Sequence, residues 1–362
     1  MTSSQQVLPA GSADDAPGGR ADLAGKPTKP PRSNKFRVLC VGVGLAVLLC
    51  AGMVWSLSLG AEPISAGGIL HGIFHSTGTD DLIIRSLRLP RVVLALLVGA
   101  ALCVAGALMQ AVAANPLAAP EIMGVNGGAV FVVVLGATVF PSLAGAPTLL
   151  LAFVGAGVAG FAVMMLAGAG RGRTSPVRLA LAGVTMTSLL VALTQVLIIF
   201  NENSTDGVLF WLVGGINTAS WSDVSTVLPW IAAGLVGAYA LARSLNLLAL
   251  GEDMARGLGQ NVERTRVFGS VLVIVLCAAS VSVAGPVAFI GLIIPHIMRR
   301  LVGSSYVVLL PLCTLGGAAL LLYADIASRF VNPPYEEPAG VVTALIGAPI
   351  FVYLARRQQV AS

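Results

Sequence analysis

Apolar runs close to the roughly 20 residues that a helix needs to cross the hydrocarbon of a bilayer recur along this chain. About ten are distinguishable, near 36–59, 91–113, 123–140, 148–168, 176–200, 224–243, 266–284, 286–299, 306–324 and 339–355. The eighth, "PVAFIGLIIPHIMR", is short, and Gly285, Pro286 and Pro295 predict a tight turn and a broken helix there. A membrane tolerates such a break only where neighbouring helices cover the backbone. The run "GVLFWLVGGI" (207–216) is too brief to cross and reads as an interfacial helix. Two polar stretches interrupt the pattern. Residues 1–35 are rich in Gly, Pro, Ser and Ala without an apolar core, which predicts a disordered tail. Residues 246–266, "NLLALGEDMARGLGQNVERTR", form a charged island between the sixth and seventh runs.

Composition makes the membrane class firm. Only 10% of the 362 residues are charged and 56% are apolar, whereas about a quarter of a soluble chain is charged. Mean hydropathy is +0.90. The net charge of +5 does not indicate nucleic acid, because the cations flank apolar spans. With the N-terminus placed inside the cell, 17 of the 21 Lys and Arg residues fall on the cytoplasmic side. Both termini are then cytoplasmic, and Arg85, Arg88, Arg91 and Arg329 are left outside. Cys40, Cys50, Cys103, Cys277 and Cys313 lie in apolar runs without Cys-x-x-Cys spacing, as small buried hydrophobes do.

Ionisable residues within these spans sit at their ends: Arg37, Arg91, Arg178, Arg243, Arg266, His296 and Arg299. A charge at the bilayer centre costs on the order of 3 kcal/mol or more, and pumps retain one because they use it. The pattern argues against a proton-driven carrier and an intramembrane enzyme. Nucleotide chemistry is also disfavoured. The three lysines, Lys26, Lys29 and Lys35, lie in the tail, so no P-loop is available. Gly155, Gly157 and Gly160 match G-x-G-x-x-G but sit inside a span, where small residues permit close helix packing. His296 has no clustered partner and reads as a satisfied structural histidine. His71 and His75 are four residues apart but make a weak metal site without a carboxylate pair.

Within the island, Gly251, the acidic Glu252 and Asp253, and the glycines 257 and 259 delimit a short helix with dipole-compatible charge. Leu248, Met254 and Leu258 give it apolar knobs suited to another protein's groove. Five blocks, in order, then carry a family likeness: "RLPRVVLALLVGAALCVAGALMQAVAANPLAAPEIMGVNGGA" (88–129), "LALGEDMARGLG" (248–259), "GPVAFIGLIIPHIMRRLVG" (285–303), "LYADIASRF" (322–330) and "EEPAGVVTALIGAPIFVYLARR" (336–357). In these blocks the chain resembles the FecCD-type permeases, membrane subunits of ABC importers for ferric siderophores, haem and cobalamin.

The resemblance implies an all-α polytopic fold of ten spans, the type II ABC importer permease, over residues 36–357 with a short tail at 358–362. It implies a permease dimer, with a second copy or a similar chain, on two ATPase subunits that hold ATP and Mg. This chain itself is expected to bind no cofactor. Leu248, Gly251, Glu252, Asp253, Met254, Ala255, Leu258 and Gly259 are the expected ATPase-coupling residues. Arg88, Arg91 and Arg329 are expected to pair with acidic residues of an extracytoplasmic substrate-binding protein. Helices near 176–200 and 339–355 are expected to line the path, and Thr174 and Ser175 of "RTSPVR" to lie at a cytoplasmic gate. Glu337 departs from the aliphatic residue usual after Glu in the E-x-P-x-G block. The expected cargo is an iron(III)-siderophore complex, with cobalamin or haem as the alternative and an ion-coupled secondary carrier less favoured.

Overall fold

A computed structural model of the chain describes residues 35–59, 64, 67–68, 71–72, 78–139, 148–168, 176–201, 211–332 and 336–359. Nearly all of these are helical. In chain order the helices are α1 (Lys35–Ser58), α2 (Leu89–Val112), α3 (Val125–Val139), α4 (Thr148–Leu166), α5 (Pro176–Phe200) and α6 (Trp221–Leu248). The short α7 (Glu252–Gly257) follows, then α8 (Val262–Ala284), α9 (Ile290–Val302), α10 (Tyr306–Ser328) and α11 (Ala339–Gln359). A short helix Thr79–Ile83 and a π turn Ile84–Arg88 lead directly into α2, and Pro120–Met123 form a 3-10 turn before α3.

Among the described residues, seven helices, counting Asp81–Val112 as one, are long and apolar enough to cross a membrane. Two shorter apolar helices, Val125–Val139 and Ala339–Tyr353, and the thirteen-residue α9 bring the set to the ten anticipated. The boundaries differ from the apolar runs in ways that have physical causes. Ser220 caps α6 reciprocally with Asp223, which starts that helix earlier and lets a 28-residue element run to Leu248. Pro90 does not interrupt the second span, because the π turn Ile84–Arg88 just ahead of it shifts the hydrogen-bond register, with the Leu89 amide donating to Ile84 O five residues back. α10 extends to Ser328 and so takes Asp325 into the helix, buried. The break before α9 is at Phe289, whose φ of 70° is unusual for a residue with a side chain.

α2 is the central helix, buried along most of its length and flanked by α6, α8, α9 and α10. Its neighbours reach it backbone to backbone at two glycine pairs. A Cβ on Gly99 would overlap the carbonyl of Gly317 in α10, and one on Gly106 would overlap the carbonyl of Gly291 in α9. Helices in lipid gain little from burying apolar surface against each other, so close small-residue contacts hold them together. Gly155 and Gly160 of the "GAGVAG" run act in the same way, against Gly128 of α3 and Ile274 of α8, while Gly157 faces open space. Cys103, Cys277 and Cys313 are buried, but Cys40 and Cys50 on the weakly packed α1 are exposed, contrary to expectation. Residues 202–210 of the expected interfacial run lie outside the described residues, as do the tail 1–34 and residues 360–362; Trp211 and Leu212 are helical.

Candidate functional site

At one end of the bundle the chain gathers its arginines. Arg91, in the first turn of α2, donates Nε to both carboxylate oxygens of Asp325 (3.0 and 3.1 Å) and Nη2 to Oδ1 at 2.8 Å. Its Nη1 makes a short ion pair with Glu336, ahead of α11. Arg329 completes the cluster, with Nη2 on Asp325 Oδ2 at 2.7 Å and on Ser56 Oγ at 2.9 Å. Arg329 Nη1 donates to the carbonyls of Ser56 (3.0 Å) and Leu59 (3.3 Å), and Arg88 Nη1 to that of Leu57 at 2.7 Å. Two cations thus share one fully enclosed carboxylate. Burial of a charge is tolerable when it is paired and its hydrogen bonds are filled, and both conditions hold for Asp325.

Arg88, Arg91 and Arg329 therefore come together, with their side chains largely turned into the bundle. Arg85, three residues before Arg88, is the exposed one, and its carbonyl accepts Trp221 Nε1 at 2.7 Å. Sequence reasoning missed Asp325. The signal was present in "YADIASR": an acid inside an apolar run, four residues before an arginine, needs a partner in the same helix or across it.

At the opposite end, α6 runs into the polar island. Gly251, at φ 102°, turns the chain into α7 in a conformation that favours glycine. Leu248, Ala255 and Val262 form a small core beneath α7, so Leu248 faces inward and Leu250, 59% exposed, takes its expected place outside. Met254 and Leu258 project into solvent at 60% and 59% exposure, beside the exposed Asp253 and the glycines 251 and 259. Glu252 faces back, pairing with Arg266 of α8 at 2.5 Å and with Arg256 at 3.2 Å. Gln260 reinforces the junction by donating to Ser244 O and Thr265 Oγ1, each at 2.9 Å.

α7 is thus fastened to α8 by Glu252 and presents its other face outward. A hydrogen bond to a charged group contributes about 1.5 kcal/mol or more. Glu252→Ala is accordingly expected to speed backbone amide exchange across 251–259 by roughly tenfold. Asp253→Ala, on the exposed face, is expected to leave those rates unchanged. Hydrogen-exchange mass spectrometry checks both.

Between the two ends lies an irregular joint. Glu121, in the Pro120–Met123 turn, is half-buried, and its Oε2 has no hydrogen-bond partner. Burial pushes its pKa above the ordinary carboxylate value. The ring of Phe289 lies against Gly347 of α11, and the carbonyl of Ile122 against Gly183 of α5. The turn thus touches α5, and Phe289 touches α11, the two helices expected to line a path. α5 exposes Leu181, Leu189 and Ile199, and α11 exposes Leu345 and Val352. Thr174, Ser175 and His75 lie outside the described residues. His71 pairs with Asp81 at 3.2 Å, and His296 Nε2 has no hydrogen-bond partner, unlike the satisfied histidine expected. Among the described residues no three His, Cys, Asp or Glu side chains are grouped to hold a metal ion.

Among the described residues, ten apolar helices, a buried ion cluster at one end and a short exposed helix at the other define a polytopic all-α membrane protein. The chain belongs to the FecCD transport family, whose model matches residues 48–357. It is 43% identical over 327 residues to the Fe(3+)-citrate import system permease protein YfmD of Bacillus subtilis (strain 168), covering 90% of this chain and 97% of that one. It is 42% identical over 318 residues to the ferric enterobactin transport system permease protein FepD of Escherichia coli (strain K12), covering 87% and 94%. A solved structure described as an inward-facing conformation of an ABC transporter assigned to the metal-chelate type aligns with a TM-score of 0.76. Its identity is 31%, and the match covers 88% of this chain and 99% of that one.

Proposed function

We propose that this chain is the permease subunit of an ATP-driven importer that carries iron(III)-siderophore complexes into the cytoplasm. Relatives at 42% and 43% identity carry permease names for ferric enterobactin and Fe(3+)-citrate import, and that observation supports the cargo class. In this reading both termini and α7 face the cytoplasm. The exposed Met254 and Leu258 seat α7 in a groove of an ATPase subunit, which binds ATP and Mg and supplies the work. Glu252 and the inner core of α7 carry the resulting motion to α8 and α6. The arginine end faces outward and receives a substrate-binding protein. A second permease copy, or a similar chain, completes the path along α5 and α11. No step requires a group in this chain to react; the protein excludes solvent, provides a route and changes shape.

Uptake of ferric siderophore into proteoliposomes tests the reading. Accumulation is expected to persist with an uncoupler and to stop without ATP or without the ATPase subunit. Accumulation driven by an ion gradient alone would refute it. At residue level, Leu258→Asp is expected to reduce ATP-dependent uptake at least tenfold, because an unpaired carboxylate in an apolar groove costs several kcal/mol. Binding of the substrate-binding protein at the other end is expected to be unchanged, as measured by surface plasmon resonance on the permease in nanodiscs.

A further inference from the structure

The arginine end poses a problem for docking by charge. Arg91 is directed into the bundle, with its side chain only 9% exposed, and Asp325, its main counterion, is 1% exposed. An arriving carboxylate cannot replace Asp325 without leaving that charge buried and unpaired, which would cost several kcal/mol. The third arm of Arg91 differs. Its partner Glu336 is 43% exposed, and ion pairs in that setting contribute little. Exchange is therefore feasible at Nη1 and prohibited at Nε and Nη2.

We infer that Glu336 is an internal substitute for a docking partner's carboxylate: an acidic side chain of the substrate-binding protein displaces it from Arg91 Nη1, and its release signals docking to the far end. The inference rests on the proposed function, since it takes the arginine end as the docking face.

The route inward is continuous. The Glu336 carbonyl accepts from Asn217 Nδ2 at 3.1 Å. Four residues on, the amide of Gly340 donates to Gly214 O at 3.0 Å, and the amide of Gly215 donates to Ala284 O at 2.8 Å. Ala284 is the last residue of α8. α8 crosses the bundle and, near its other end, carries Arg266, which grips Glu252 of α7. The segment that Glu336 begins is thus bonded to the 214–217 turn, that turn to α8, and α8 to the exposed helix at the opposite end. Such a chain transmits a signal only if the end state of Glu336 biases it. Freeing the segment 336–338 from Arg91 while Asn217 keeps hold of it supplies such a bias.

The test uses the whole transporter in nanodiscs, with the iron-loaded extracytoplasmic chelate-binding protein of the same cell as probe. Docking affinity and ATPase rate are measured for the native chain, Glu336→Gln and Glu337→Gln. Glutamine keeps the size of Glu336 but removes the competing charge. Native docking with Glu336→Gln binding about threefold tighter and a raised ATPase rate without the binding protein is the expected result. Glu337→Gln is the control, because Glu337 pairs with Asn332 at 3.1 Å and not with Arg91. Equal or weaker docking by Glu336→Gln, with the native chain docking normally, would overturn the inference and leave the proposed function standing. A native chain that fails to dock would overturn both. Tighter docking with an unchanged ATPase rate would remove the signalling half.

Discussion

Asp325→Ala is expected to destabilise the protein by about 3–5 kcal/mol, the cost of removing one partner from a buried pair. Arg91 and Arg329 both lean on this carboxylate, through contacts of 2.8 and 2.7 Å. Without it two guanidinium groups remain near one another at the end of an apolar bundle. Arg91 keeps Glu336, and Arg329 keeps Ser56 and the Leu59 carbonyl, so the ends of α1, α2 and α10 do not all separate at once. Asp325→Asn is expected to lose less, since an amide oxygen still accepts, yet more than Glu336→Gln, which removes only a half-exposed pair. Thermal unfolding in detergent ranks the three. A loss below about 1 kcal/mol for Asp325→Ala would show that water reaches the cluster and screens it.

Gly106→Ala is expected to have an effect of similar size through sterics alone. The added methyl group meets the carbonyl of Gly291, which is main chain and cannot rotate away. α9 must shift as a body, and overpacking of this kind costs about 1–3 kcal/mol, or more where backbone is involved. Gly157→Ala is the matched comparison. Its Cβ meets nothing within 4 Å, and alanine is the better helix former by about 0.8–1.0 kcal/mol, so stability is expected to hold or rise slightly. The same unfolding measurement, with the yield of folded protein, separates the two outcomes. Equal behaviour of the two glycines would mean that the α2–α9 crossing is looser than described.

Much of this architecture was legible because a bilayer imposes length on apolar segments. Ten crossings follow from counting, and Ser220 and Pro90 moved boundaries without changing the number. The glycines in "GAGVAG" were separable from a nucleotide loop by their place in a span. Short-range geometry was less legible. Leu248 and Leu250 are two residues apart on a helix terminus, and which one faces solvent depends on where α6 ends and Gly251 turns the chain. Least visible were the partners of Arg91, 234 and 245 residues away in sequence. Charge counting places an arginine at a membrane edge but does not reveal whether another helix brings it an acid.

The two glycine crossings of α2 lie seven residues apart, at Gly99 and Gly106, nearly two full turns along almost the same face of one helix. Gly99 ties α2 to α10, Gly106 ties it to α9, and Gly316 of α10 packs on Ile294 and Met298 of α9, so the three helices brace one another as a single strut. Any alternation between an outward and an inward opening then has to be accommodated by the peripheral helices. The stationary part of the machine is specified by residues with no side chain at all.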